Sequence, residues 1–257
     1  MNSPRAGQPL DILAIAAHRD DVEQTCGGTL LKAAERGQHT GILDLTRGEM
    51  GTRGTADDRE REANDAARIL RVEWRRALDI PDGRVENTWE NRLKVAAVIR
   101  ETRPRVVILP YWKGRHPDHY TTSILGYEAC FLAGLAKLDT AGAGGPRESQ
   151  QDVTGFAPHR PFKIIYATLY YDIRPSFVVD ISDQFEGKFA SILAYTSQFR
   201  DQEAGNDLFP AHQEIRTRVD AMARFYGMLA GVTYGEPFLQ KEVGLVDDLL
   251  AIPVKSI

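Results

Sequence analysis

Cysteine is nearly absent from this chain of 257 residues: Cys26 and Cys130 are the only two. They lie far apart and form neither a disulfide framework nor a Cys-x-x-Cys or zinc-ribbon spacing, so a reducing cytoplasm is the expected compartment. Excess basic charge is missing as well. Lys and Arg number 32 against 36 Asp and Glu, a net charge of -4, which argues against a nucleic-acid partner. No apolar run approaches the roughly 18 residues of a membrane span, and Met1 to Pro9 lacks the apolar core of a signal peptide, so no membrane partner is expected. No solenoid period is visible either.

What is present is a hydrophobic content of 42%, enough to fill the core of one large α/β domain. Asp11 to Ala16 is a short apolar run ending in a polar cluster, as a buried first strand does where it opens onto a loop. Thr29 to Arg36 has helical character and is stopped by Gly37, and Thr40 to Leu45 follows as a second buried strand, so parallel pairing through a right-handed crossover is expected. Further helices are expected over Asp57 to Leu70, Trp89 to Arg103, Thr121 to Lys137, Glu186 to Phe199 and His212 to Leu229. Further strands are expected over Ala77 to Ile80, Val106 to Pro110, Ile164 to Tyr171 and Ser176 to Ile181. The stretch from about 139 to 160 is rich in Gly, Ala, Pro, Gln and Ser and is expected to be a flexible insertion; the tail from Gly231 is expected to be irregular.

Two polar clusters follow strands: Ala17-His18-Arg19-Asp20-Asp21 and, about a hundred residues on, His116-Pro117-Asp118-His119. Open α/β sheets place their ligands at such carboxyl ends. A catalytic zinc site takes three ligands from His, Asp and Glu and leaves a position for water. His18, Asp21 and His119 would make such a set. Asp20, beside a ligand, can then act as base toward the water, and His116 can stabilise an oxyanion or protonate a leaving amine. Either cluster alone has a plainer explanation as a helix cap or a turn; two of them after neighbouring strands are harder to dismiss. His/Asp ligation accepts Fe2+ or manganese as well as Zn2+.

Those two clusters, together with Gly27-Gly28 and the Thr46-to-Thr55 loop with its repeated Thr-Arg-Gly, resemble the LmbE-like, or PIG-L-like, metal-dependent N-acetylglucosamine deacetylases. The resemblance continues through Ile80-Pro-Asp-Gly83, Val85-Glu-Asn87, Tyr195-Thr-Ser-Gln-Phe199 and Gly231 to Phe238, and is nearest to the bacillithiol-pathway enzymes acting on N-acetylglucosaminyl-malate. It implies a Rossmann-like three-layer α/β/α fold with a mainly parallel sheet, in one domain spanning 1–257. It implies His18, Asp21 and His119 as zinc ligands, Asp20 as general base and His116 as the residue supporting the tetrahedral transition state. It also implies that Arg53 binds substrate, with Arg47 a weaker candidate and Tyr195 at the rim of the site, together with Gln198 and Glu236. The partners it implies are a small amino-sugar substrate and a second copy of the chain.

One residue departs from the family: Arg19 stands where proline is usual, which removes a stiff φ from the loop and adds a cation near the site. Three rival readings remain. The substrate can be another N-acetylglucosaminide or a thiol conjugate. Gly27-Gly28 can belong to a dinucleotide-binding turn, although no Gly-x-Gly-x-x-Gly is present there. A sugar-binding module without catalysis would keep the pocket but has no need of Asp20.

Overall fold

The fold is taken from a computed structural model that describes residues 8–141, 143, 156–169, 171–199 and 212–252. Seven strands form one sheet in the order β3-β2-β1-β4-β5-β7-β6. They are β1 (Ile12–Ala16), β2 (Thr40–Asp44), β3 (Trp74–Ala77), β4 (Val106–Pro110), β5 (Lys163–Ala167), β6 (Phe177–Asp180) and β7 (Gly235–Leu239). The first five pair in parallel, and β7 runs antiparallel to both β5 and β6. The order reverses between β1 and β4, and this is the crevice where an open α/β sheet receives its ligand.

The alternation along β1 separates the two layers of core. Leu13 and Ile15 pack with α3 (Trp89–Thr102) and α4 (Pro117–Ala133), while Ala14 and Ala16 face α1 (Asp21–Glu35). Helix α5 (Phe185–Leu193) packs on α1 and on α2 (Ala56–Ile69), which completes the three layers. Fully buried Leu and Ile side chains of this kind each contribute roughly 1.5–3 kcal/mol. A single turn, α6 (Thr196–Phe199), and the long α7 (His212–Leu229) follow.

Several expected boundaries move. Helix α1 begins at Asp21, not Thr29, because it is two helical pieces joined at Cys26, whose φ of -141° breaks the run. Helix α4 begins at Pro117, not Thr121; Pro117 suits a first turn because its missing N–H would have had no partner there. Both polar clusters therefore run into the first turns of helices. Strand β3 lies at Trp74-Arg-Arg-Ala77, ahead of the expected Ala77 to Ile80, since Arg75 is buried by pairing with Asp44. The expected helix over Glu186 to Phe199 is divided into α5 and α6. The tail is not irregular throughout: β7 inserts Gly235–Leu239 between β5 and β6. Most of the expected insertion at 139–160 lies outside the described residues.

The break in α1 is held by side chains from far along the chain. Lys188 Nζ donates to the Gln24 carbonyl at 2.8 Å, and Glu236 accepts from the Gly28 N–H at 2.9 Å and the Thr29 N–H at 2.7 Å. Lys188 and Glu236 also pair with each other at 2.5 Å. Gly28 is required for this approach, as a Cβ there would lie 2.9 Å from Ile181 and 3.1 Å from the Glu236 carboxylate. With Glu236 on these amides, the dinucleotide reading of Gly27-Gly28 loses its phosphate donors.

Candidate metal centre

The strand β1 and the strand β4 deliver His18, Asp21 and His119 to one point. His18 Nδ1 lies 3.4 Å from Asp21 Oδ2 and 3.2 Å from His119 Nε2, and Asp21 Oδ1 lies 3.2 Å from His119 Nε2. Ligands at about 2.0–2.1 Å from a tetrahedral ion stand roughly 3.3–3.4 Å from one another, and each pair of these residues meets that spacing, Asp21 reaching His18 through Oδ2 and His119 through Oδ1. The other ring nitrogen of His18 faces two more carboxylates, Asp82 Oδ1 at 3.2 Å and Asp118 Oδ2 at 3.4 Å. Outer carboxylates of this kind fix a ligating imidazole's orientation and raise its basicity. His116 stands beside the set, its ring 4.7 Å from that of His18 and 5.0 Å from that of His119.

The charges agree with the geometry. Burial alone would lower the His18 imidazole, yet Asp21, Asp118 and Asp82 together push it up to about 12, the mark of a site that attracts positive charge. Burial opposes the Asp21 anion, but His119 and His18 outweigh it and hold its carboxyl well below the usual range. His119 is raised, Asp21 overcoming burial. His116 is lowered by burial and by the two neighbouring imidazoles.

Asp20 occupies the N-cap position of α1 but caps nothing. Its carboxylate turns instead to Arg59 Nη2 at 3.2 Å, and Arg59 is buried. Burial raises the Asp20 carboxyl and Arg59 opposes the rise. The loop after β2 closes over this pair: Gly48, at φ +72°, and Gly51 lie against the Arg59 guanidinium. Asp82 fastens the same loop to the site, accepting from the Met50 N–H at 3.0 Å while its own N–H donates to Glu49 Oε1 at 2.8 Å.

Arg53 lies on this loop, half-buried; its carbonyl accepts from Gln198 Nε2 at 2.7 Å, and Arg47 is exposed opposite Asp57 at 3.8 Å. Tyr195 is a correction: it is fully buried, its hydroxyl 3.1 Å from Glu23 Oε1, and so cannot touch a substrate. The segment after it braces α2, with Glu62 accepting from Ser197 N at 2.6 Å and Thr196 Oγ1 at 2.9 Å. Glu236 likewise is buried and not at a rim. Arg19 does not add a cation to the site. Its buried guanidinium points to α2, reaching the Ala56 carbonyl at 3.3 Å and Glu60 at 3.4 Å.

Residues absent from the sequence-based candidates complete the centre. Arg75 donates to Asp44, to Glu23 Oε1 at 2.6 Å and to the Arg19 carbonyl at 2.8 Å, gripping the first cluster from beneath. Asp118 accepts from the Gly83 N–H at 2.8 Å and the Val85 N–H at 3.2 Å. Its position between two histidines in the sequence was the one available signal. A cavity of about 20 Å³, lined by Ala14, Ala16, Cys26, Ala167, Asp21 and His119, opens beside the donors. It has room for at least one water-sized or methyl-sized group. Cys26 is a buried wall residue whose thiol burial pushes up to about 12, so it is no nucleophile.

Residues 13–130 match the family profile described as PIG-L, GlcNAc-PI de-N-acetylase. The diacetylchitobiose deacetylase of Thermococcus kodakarensis is 33% identical over 238 residues, 88% of this chain and 80% of that protein. Among solved structures, a conserved protein from Thermus thermophilus shares 40% identity with a TM-score of 0.77, covering 93% of this chain and 98% of that one. The N,N'-diacetylchitobiose deacetylase from Pyrococcus horikoshii shares 27% with a TM-score of 0.74, covering 88% and 82%.

Proposed function

The chain belongs to the PIG-L family of de-N-acetylases, and from that premise we propose that it hydrolyses the acetamide of an N-acetylglucosaminide to acetate and a free amine. The observation that carries this reading is the spacing of 3.2–3.4 Å among His18 Nδ1, Asp21 and His119 Nε2. These three residues would hold a divalent cation, Zn2+ or Fe2+. When bound, such an ion supplies Lewis-acid chemistry, making a water acidic and polarising an acyl oxygen.

The chain's own groups do the rest. Asp20, held by Arg59, takes the proton of the attacking water. His116 Nδ1 accepts from the Asp118 N–H at 3.2 Å, so the neutral ring keeps its proton on Nε2. That N–H donates a hydrogen bond to the acyl oxygen as charge develops there, and the proton that Asp20 took from the water passes to the departing amine. The cavity beside Asp21 and His119, walled on one side by Ala14, Ala16 and Ala167, has room for the acetyl methyl. Asp82 and Asp118 keep the His18 ring in its working orientation.

For the rest of the substrate we favour N-acetylglucosaminyl-malate, the bacillithiol precursor. Arg53 and Arg47 stand on the loop tied to Asp82, and guanidinium forks suit the carboxylates of malate. A second reading, N,N'-diacetylchitobiose, is favoured by the relative that shares 33% identity over most of this chain. Acetate release measured on both, with metal content determined in parallel, tests the proposal. Turnover preferring N-acetylglucosaminyl-malate, falling about 10²–10⁴-fold in Asp20→Asn with metal retained, is the expected result. Full activity in metal-free protein would overturn the reaction, and preference for the chitobiose would overturn the substrate.

A further inference from the structure

The cavity beside the donors does not end against solid core. Thr25 and Leu169 are among its walls, and the same two residues line a second cavity, of about 30 Å³, set among α1, α7 and β7. Protein interiors hold few voids larger than a water molecule, so two that share a wall call for an occupant.

The two shared residues are held differently. Thr25 lies on α1 one turn, about 5.4 Å, past Asp21, and its hydroxyl donates to the Asp21 carbonyl at 2.8 Å. It belongs to the turn that carries Asp21. Leu169 sits in the loop after β5, half-buried and outside both strand-to-helix junctions. It is the part of the wall that can change without touching the donors.

The space behind that wall suits hydrocarbon. Val219, Ala223 and Tyr226 of α7 line it and are buried. Polar side chains in the same wall are engaged within the chain: Lys188 with Glu236 at 2.5 Å, Thr25 with Asp21, and Thr168 Oγ1 with the Tyr171 carbonyl at 3.4 Å. A buried water needs two to four polar partners, and few are left. By size the second cavity takes about two more carbon-sized groups than the first alone.

We propose that Leu169 is the specificity-determining wall of the acyl pocket: it stops the pocket at the length of an acetyl group, and the cavity behind it receives the end of a short straight acyl chain once that wall is lowered. The inference rests on the de-N-acetylase reading and adds to it the length of acyl group accepted. The reaction is the same along such a series. The water oxygen bonds to the acyl carbon, the amide C–N bond breaks, and both water protons leave on the amine.

The test is amine release by the metal-loaded full chain from glucosaminyl-malate, and in parallel from chitobiose, carrying N-acetyl, N-propionyl, N-butyryl or N-hexanoyl groups. A methylene that a pocket cannot seat costs about 10–200-fold, so wild-type protein is expected to favour acetyl over butyryl by at least about tenfold in kcat/KM. Leu169→Ala is expected to raise the butyryl-to-acetyl ratio about 10–200-fold. Leu169→Ala/Ala223→Met, which refills the second cavity, is expected to bring the ratio back. Should the alanine variant not fold, Leu169→Val serves as the smaller truncation, with a rise in the propionyl-to-acetyl ratio expected. Acetyl turnover with an unchanged ratio in the folded truncation would overturn the role of Leu169 alone, as would equal use of acetyl and butyryl by wild-type protein. A gain that survives Ala223→Met would trace to a loosened loop and overturn it too. No amine from any of the wild-type reactions would overturn the deacylation itself, and this inference with it.

Discussion

The centre is assembled from two strand-to-helix junctions that solve the same problem differently. After β4 the chain turns into α4 by local means: Pro117 sets φ at the first helical position and His116 caps the helix with its own ring, accepting from the Asp118 N–H. After β1 no such local device exists. Arg19 stands before Asp20, Asp20 caps nothing, and the helix it opens breaks at Cys26. This junction is held from outside, by Arg75 on the Arg19 carbonyl, Arg59 on the Asp20 carboxylate, and Arg19 on α2. The contrast teaches where a freely oriented carboxylate comes from. An aspartate spent on capping cannot face a reacting water, and the external clamps let Asp20 leave its cap unfilled.

The comparison can be broken most severely at Arg75. Its loss in Arg75→Met leaves two buried carboxylates, Asp44 and Glu23, without their cation, so a stability loss of about 3–5 kcal/mol in denaturant titration is expected. A loss below about 1 kcal/mol would show that the β1 junction supports itself. At the other junction, Asp118→Asn keeps the shape and removes a charge facing His18. Metal affinity measured by competition with a chelator is expected to fall about 10–100-fold, with little change in stability.

A finer probe is pH. One guanidinium serves two carboxylates in the β1 clamp, and burial, with Asp44 adding to it and Arg75 opposing, pushes the Glu23 carboxyl from 4.5 up to about 7. The folded state thus favours the protonated form. The stabilisation from Glu23 is full below 4.5 and is lost as pH rises to about 7. Glu23→Gln should therefore flatten unfolding free energy over that window relative to wild type, and a steeper profile in the variant would contradict the sharing of Arg75. The smallest effect belongs to Arg19→Pro, which trades the contacts to Glu60 and Ala56 for a stiffer loop. A net change within about 1 kcal/mol by thermal melt, with activity retained, is expected.

The contrast between the junctions also decides what could be read in advance. The strands β1, β2 and β4 are short apolar runs followed by polar residues, and the clusters that follow them are local in sequence, so both were legible. Helix starts were not, because the same polar residues serve as loop or as first turn depending on their partners. Strand β3 was displaced because Arg75 and Arg76 look like surface until Asp44 is known to lie beside them. Strand β7 was missed because Glu236-Pro237 in a five-residue run does not resemble a strand, and its burial depends on Lys188 and on the break in α1. Tyr195 and Glu236 drew notice as a motif, but only tertiary contacts show that they support the site from within. Arg59, Asp82 and Asp118 likewise acquire meaning from residues 39, 64 and 100 positions away.

The broken helix has a consequence in time. The half of α1 after the break is secured through amides at Gly28 and Thr29, whose acceptor Glu236 is 208 residues downstream of Gly28, and the half that carries Asp21 is held by Lys188, the partner of Glu236, on the Gln24 carbonyl. A chain emerging from the ribosome at about 5–20 residues per second has its last ligand, His119, on the order of ten seconds before it has the carboxylate of Glu236. Through that interval the nascent protein holds metal-binding side chains on an unfinished helix. Completion of the site is thereby coupled to insertion of β7, so a chain that stops before Glu236 carries every ligand and lacks the means to hold them still.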